Sequence, residues 1–246
     1  MSRQNGALRI FLYNWPVYVG TWAAALLLLL AVLYTAQPLS LLLALAAGGA
    51  FVWSVVSLLV STYIYDRSAL VAGAWMPRLL GPRVQTWSTV HAGLDAEVEL
   101  DAVLPGQCLA RLDIFDSVFM TSSSITRARR RTGSASAAIA CSATALALAD
   151  ASCDAIVVAF TAHEIRSRPA SEAFFGELHR ALRPGGRAVI VEHLRDWPNF
   201  FAFGPGFLHF VARREWLRLA AHATFRVASE TRVTPWVMAL SLEKSE

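Results

Sequence analysis

The chain has 246 residues, 55% of them hydrophobic and only 16% charged, with a formal net charge of +4, a pI near 9.3 and a mean hydropathy of +0.44. These figures exclude a disordered or collagen-like chain and argue against a purely soluble domain. No charged side chain occurs between Arg9 and Asp66, a gap of 56 positions that is far longer than a buried core helix needs. The residues from Asp66 onward carry every charge except Arg3 and Arg9. Two units are therefore expected: residues 1–65 as an N-terminal segment with a transmembrane hairpin, and residues 66–246 as a globular domain.

Within the gap, Val17 to Tyr34 is uninterruptedly uncharged and spans about 27 Å as a helix, enough to cross a bilayer core. Leu39 to Thr62 supplies a second span, and Thr35 to Pro38 reads as a turn closed by a helix-interrupting proline. Trp15, Tyr18, Tyr34, Tyr63 and Tyr65 fall near the span ends, where amphipathic rings favour the membrane interface. Arg3 and Arg9 precede the first span and Arg67, Arg78 and Arg83 follow the second, while the turn between them has no basic residue. That asymmetry predicts a bacterial-type inner-membrane protein with both termini and the globular domain cytoplasmic. A cleaved signal peptide or a buried hairpin of a soluble protein are the alternatives.

Cys108, Cys141 and Cys153 contain no CxxC pair, so neither a disulfide framework nor a zinc finger is indicated, and they read as small core residues. Lys244 is the only lysine, and Arg127 to Arg131 (RARRR) is the densest basic cluster. A solvated helix face near anionic lipid accounts for it better than nucleic acid does.

From Asp66 onward β-rich and helical runs alternate, the pattern of a parallel sheet with crossover helices. Strands are predicted at Thr86–Val90, Leu109–Ile114, Ala155–Ala159 and Arg187–Glu192, and helices at Asp95–Leu104, Ser124–Arg131 and Ser171–Leu182. Arg183–Gly186 (RPGG) is expected to stop the last of these and reverse the chain. The biased stretch Arg127–Ala145 is otherwise read as a flexible connection. A helix at Arg213–Thr224 then precedes two strands, Phe225–Thr231 and Trp236–Leu242, which should pair antiparallel at the sheet edge.

Ligands in such sheets bind at the carboxyl ends of the strands. The first strand runs into VHAGLDAEV, where Gly93 permits a tight turn, and the second ends at Asp113, an acid placed to accept hydrogen bonds from a ribose diol. The segment Leu146–Glu192, with LALADASCDAIVVAFTAHEI and FFGELHRALRPGGRAVIVEH, resembles the class I S-adenosylmethionine-dependent methyltransferases, and the likeness extends over roughly Leu80 to Glu243. The resemblance implies a Rossmann-like seven-stranded sheet with an antiparallel terminal strand. It also implies S-adenosylmethionine bound over His91, Ala92, Gly93, Asp95, Asp113, Ser142 and Ala143. The family's D-x-G-x-G-x-G motif is altered: His91 stands at the acid, Gly93 is kept, and Asp95 and Glu97 replace glycines. A subset with a modified first motif and a His-Glu pair after the fourth strand includes the rhodoquinone biosynthesis enzyme, which suggests amino transfer to a quinone as an alternative chemistry. A divalent metal met by Asp95 or His91 would assist it.

His163 and Glu164 follow the fourth strand and His193 the fifth, so all three are candidate catalytic residues facing the transferred methyl group. The stretch Arg195–Phe210 carries Trp197, Phe200, Phe201, Phe203, Phe207 and Phe210 among glycines and prolines. A loop this aromatic covers a substrate cavity or dips into lipid, which points to a lipophilic small-molecule acceptor, quinone-like or lipid, at the membrane surface. A non-catalytic membrane-bound scaffold with an eroded first motif is the remaining alternative.

Overall fold

The computed structural model describes residues 6–81, 84–93, 100–132 and 138–245. Asp95 and Glu97 lie outside these residues, as do Arg3 and Arg83. Two long helices, α1 (Gly6–Val32) and α2 (Leu39–Thr62), open the chain as an antiparallel hairpin. α1 starts earlier than the apolar run alone indicates and continues through Pro16, which removes only one backbone donor from the ladder. Small residues Ser40, Ala47, Ser54 and Ser61, seven apart, form the buried stripe of α2, a spacing that keeps one seam against a partner helix. Tyr18 and Trp22 of α1 bond Ser57 and Ser54 of α2 at 3.1 and 2.9 Å. The remaining faces are apolar and exposed, including Leu26, Leu27, Leu41, Leu45 and Leu59. Both helices are long and apolar enough to cross a membrane.

A single π-turn, Tyr63–Arg67, leads from α2 into two short helices, α3 (Ala69–Ala72) and α4 (Met76–Leu80). The α/β part follows as β1 (Thr86–His91), α5 (Leu100–Val103), β2 (Gln107–Asp113), α6 (Ser123–Thr132), β3 (Ile139–Ala140), β4 (Cys153–Ala159), α7 (Arg168–Ala181), β5 (Leu182–His193), α8 (Trp197–Phe203), α9 (Arg213–His222), β6 (Phe225–Thr234) and β7 (Val237–Lys244). The seven strands form one sheet in the order β3-β2-β1-β4-β5-β7-β6. Pairs among β1 to β5 are parallel, and β7 runs antiparallel to both β5 and β6.

Alternation along the strands divides the core. Ile156 and Val158 point to one face with Val90, Leu112 and Ile190, where Phe174 and Phe175 of α7 and Trp216 of α9 cover them. Removing each phenylalanine from water contributes about 1.5–3 kcal/mol. Ala155 and Val157 point to the other face with Val189 and Val191, beneath Ile64, Leu70, Met76 and Leu79. The residues that leave the hairpin thus plug the second face of the sheet, so packing runs continuously across position 65.

The last two strands pair antiparallel at the sheet edge as expected, with β6 outermost. Three expectations are corrected. Arg183–Gly186 is a bulge inside β5: Leu182 already pairs with Cys153, pairing resumes at Arg187 with Ala155, and Gly185 takes φ +74°. The connection after α6 contains the short strand β3. The aromatic stretch after β5 is helical, because Asp196 caps α8 by accepting from the Asn199 amide.

Candidate active site

β1 and β4 are neighbours whose onward connections leave in opposite directions, so the crevice at their carboxyl ends is the topological switch point. There His91 pairs with Asp113 and Asp113 with Ala140, setting three strand ends side by side. Ala92 is buried, His91 is half-buried, and Gly93 follows at φ +90°. Asp113 is 4% exposed, and its Oδ1 accepts from the Phe115 amide at 3.1 Å. Its Oδ2 accepts from Arg129 of α6 at 2.5 Å. The Arg129 guanidinium lies over the Phe115 ring, 4.7 Å from its centroid. A Cβ at position 93 would meet Arg129 Cδ at 2.6 Å. Ser142 and Ala143, just beyond β3, line a small cavity with Ile114, Met120 and Ile165.

These residues fit S-adenosylmethionine in kind: a buried acid at the end of β2 for a ribose, a side-chain-free turn after β1 for close approach, and a slot beyond β3. Arg129 lies across the first two, so a cofactor held there would have to displace it from Asp113. The arginine cluster is accordingly not a purely solvated face. Arg129 turns to Asp113, Arg127 donates to the Tyr13 carbonyl of α1, and Arg130 and Arg131 are exposed.

A second polar cluster forms beyond β4 and β5. His163 and Glu164 sit in a 3₁₀ turn after β4, both buried. His163 Nδ1–H donates to Glu192 Oε2 at 2.7 Å, and its backbone N–H to Glu192 Oε1 at 3.2 Å. Its Nε2 is 3.5 Å from Glu164 Oε1, which also accepts from His209 Nε2 and Ser122 Oγ, each at 3.2 Å. Burial opposes charge on His163, but Glu192 and Glu164 outweigh it and push the imidazole up to about 10. Burial likewise opposes ionisation of Glu164, and His163 and His209 outweigh it and hold the carboxyl well below the usual range. Arg166 donates to the His209 carbonyl at 2.9 Å and abuts its ring.

His193 is engaged differently. Its Nδ1–H is shared between Asn199 Oδ1 at 3.1 Å and the Trp236 carbonyl at 3.0 Å, and its Nε2 accepts from Tyr65 OH at 2.8 Å. Burial, reinforced by the charge of His163, pushes it down to about 4. The ring stacks on Phe210 at 4.8 Å. Both nitrogens thus tie the end of the hairpin to α8 and to the start of β7.

Two sets of ring contacts, joined by the backbone from Phe207 to His209, lie between the hairpin and the His163 cluster. Trp53 of α2 donates to the Phe201 carbonyl at 2.9 Å and stands edge-on to Phe200 at 5.5 Å. Phe200 meets Phe207 at 5.1 Å, and two residues further His209 meets His163 at 5.2 Å. Where α2 and α8 diverge, Gly49, Val52, Trp53, Val56, Phe200 and Phe201 line an open groove of about 470 Å³. Trp197 and Phe201 project outward, 71% and 67% exposed.

Sequence reasoning passed over Glu192, His209 and Arg129. Glu192 had a legible signal, an acid directly after the apolar run AVIV of a buried strand; His209 and Arg129 had none, because their partners lie far away in sequence.

A family model described as a methyltransferase domain matches residues 113–190. No curated protein matches the sequence. Among solved structures, a SAM-dependent methyltransferase from Aquifex aeolicus is 16% identical with a TM-score of 0.53, over 78% of this chain and 98% of that one. The pyocyanin biosynthetic protein PhzM is 16% identical with a TM-score of 0.57, over 99% of this chain and 74% of that one. A Haloferax volcanii methyltransferase solved with its Trm112 activator has a TM-score of 0.52 at 12% identity, over 74% of this chain and 92% of that one. Residues 113–190 thus match a methyltransferase domain, and the chain has the fold of the S-adenosylmethionine-dependent methyltransferases.

Proposed function

We propose that the protein methylates a lipophilic acceptor, a quinone-like ring or a lipid, at the cytoplasmic surface of the membrane that α1 and α2 span. The observation that carries this reading is the apolar groove between α2 and α8, whose Phe200 packs on Phe207, two residues before the His209 that meets His163. Trp53 lies nine residues before the end of α2, about 13 Å along the axis. That is within one turn of the midpoint of α2, so with α2 in a bilayer α8 reaches into the acyl region and its exposed Trp197 and Phe201 meet lipid rather than water. An acceptor dissolved in the membrane then enters sideways.

S-adenosylmethionine supplies an electrophilic methyl group when bound. The chain aligns it and excludes water. Asp113 holds the ribose once released by Arg129, His91, Ala92 and Gly93 line the turn beneath the cofactor, and Ser142 and Ala143 flank the slot beyond β3. His163 and Glu164 meet the acceptor's reacting heteroatom at the end of the ring path. His193 acts as a positioning residue that fixes α8 against the anchor.

Full-length protein in vesicles of total bacterial lipid, supplied with methyl-labelled S-adenosylmethionine, tests the reading. Label in the organic extract supports it; label confined to water-soluble products overturns it. The Arg129–Asp113 pair favours a second reading, a non-catalytic scaffold. Absence of cofactor binding in both the wild type and Arg129→Met would leave that one standing.

A further inference from the structure

We propose that His163, Glu164 and His209 form a site for one divalent transition-metal ion, with zinc as the ion that fits the donors best. The three ligand atoms lie within 4.8 Å of one another, and Glu164 Oε1 is 3.2 Å from His209 Nε2 and 3.5 Å from His163 Nε2. Ligands bound at about 2.0–2.2 Å in a tetrahedron stand about 3.3–3.6 Å apart, so two of these separations already match an edge of such a site. Two imidazoles and one carboxylate with a further position open is a donor set that suits zinc chemistry.

Three other features bear on it. Glu192 holds His163 Nδ1–H at 2.7 Å and so aims Nε2 at Glu164; a carboxylate behind a ligating histidine is the usual outer support of a metal ion. Glu164 is fully buried, yet its Oε2 has no hydrogen-bond partner among the described residues, and the nearest cation there is Arg166 at 3.8 Å. A buried carboxylate oxygen left this way calls for an ion. Ser122 already donates to Oε1 and steadies the carboxylate. Arg166, against the edge of His209, stands where the ion's charge would be and must withdraw for it to enter. The site shares His163 and Glu164 with the acceptor end of the proposed function but none of the residues that would hold the cofactor, and metal titration without acceptor or cofactor reads it separately.

The test is calorimetric titration of tag-free, chelator-stripped, full-length protein in detergent with Zn²⁺ alone, and with Mg²⁺ alone. One Zn²⁺ per chain is expected, with Mg²⁺ at least a hundredfold weaker. His209→Ala and Glu164→Gln should each weaken Zn²⁺ by tenfold or more, and Glu192→Gln by about 10- to 100-fold. Arg166→Met should tighten binding, an effect that a merely ion-paired cluster would not give. Circular dichroism confirms that each variant folds, and Co²⁺ in the wild type should show the visible absorption of a four- or five-coordinate site. No stoichiometric binding, or binding unchanged in His209→Ala and Arg166→Met, would overturn the proposal.

Discussion

In the function proposed above, Asp113 holds the cofactor's ribose and Arg129 competes for it, so replacing Arg129 by methionine should tighten cofactor binding. The pair is 2.5 Å long with side chains only 18% and 3% exposed. A hydrogen bond between charged groups this shielded contributes about 1.5–3 kcal/mol net. A ligand that takes over Asp113 must first break it, so its removal should raise affinity about ten- to hundredfold. Leaving Asp113 buried and unpaired also raises the free energy of the empty form, which acts in the same direction. The assay is calorimetry with S-adenosylhomocysteine on wild type, Arg129→Met and Arg129→Lys in detergent, with thermal unfolding measured alongside. The expected order of affinity is methionine, then lysine, then wild type, while empty-form stability falls for methionine. Weaker binding by Arg129→Met would refute the reasoning and make Arg129 a cofactor ligand instead.

Further outcomes follow from single contacts. Gly93→Ala forces a Cβ into Arg129 Cδ at 2.6 Å in a left-handed backbone and should cost about 1–2 kcal/mol of stability in chemical denaturation; in an Arg129→Ala background the cost should shrink, and equal costs would show that the two do not touch. Tyr65→Phe removes the donor to His193 Nε2 and should lower stability by about 1 kcal/mol, whereas an unchanged melting temperature would deny the joint. His193 has a folded pKa pushed down to about 4 from 6.5, so the neutral ring favours the native state fully above about pH 6.5, and that stability is lost as pH falls toward 4. His193→Gln should flatten this part of the pH–stability profile, and a profile identical to wild type would count against the assignment. A reporter fused after Glu246 should respond as cytoplasmic; a periplasmic response would reverse the orientation.

Much of the fold was legible because short, β-branched apolar runs such as CDAIVVA and AVIV suit strands buried on both faces and are too short for a core helix. β3 was not, since two residues have no periodicity to read. α8 was hidden by its aromatic content, although Asp196 and Pro198 at its start are ordinary helix-opening residues. The bulge at Arg183–Gly186 reads as a stop because glycine and proline serve both purposes, and only pairing with Cys153 and Ala155 decides between them. Within the site, strand ends located Asp113, Gly93, His163 and His193. The engagement of each was invisible, because Arg129, Glu192, His209 and Tyr65 approach from elements separated by 16 to 128 positions.

In the proposed function the acceptor reaches the site through lipid along the α2–α8 groove. Gly49 faces open space there, with nothing within 4 Å of an added Cβ, so Gly49→Trp can fill the groove without displacing a neighbour. Initial rates of labelled methyl incorporation into membrane lipid should be compared for wild type and Gly49→Trp, with S-adenosylhomocysteine affinity measured on the same preparations. At least a tenfold loss of transfer at unchanged cofactor affinity is expected; equal rates of transfer would overturn entry through the groove.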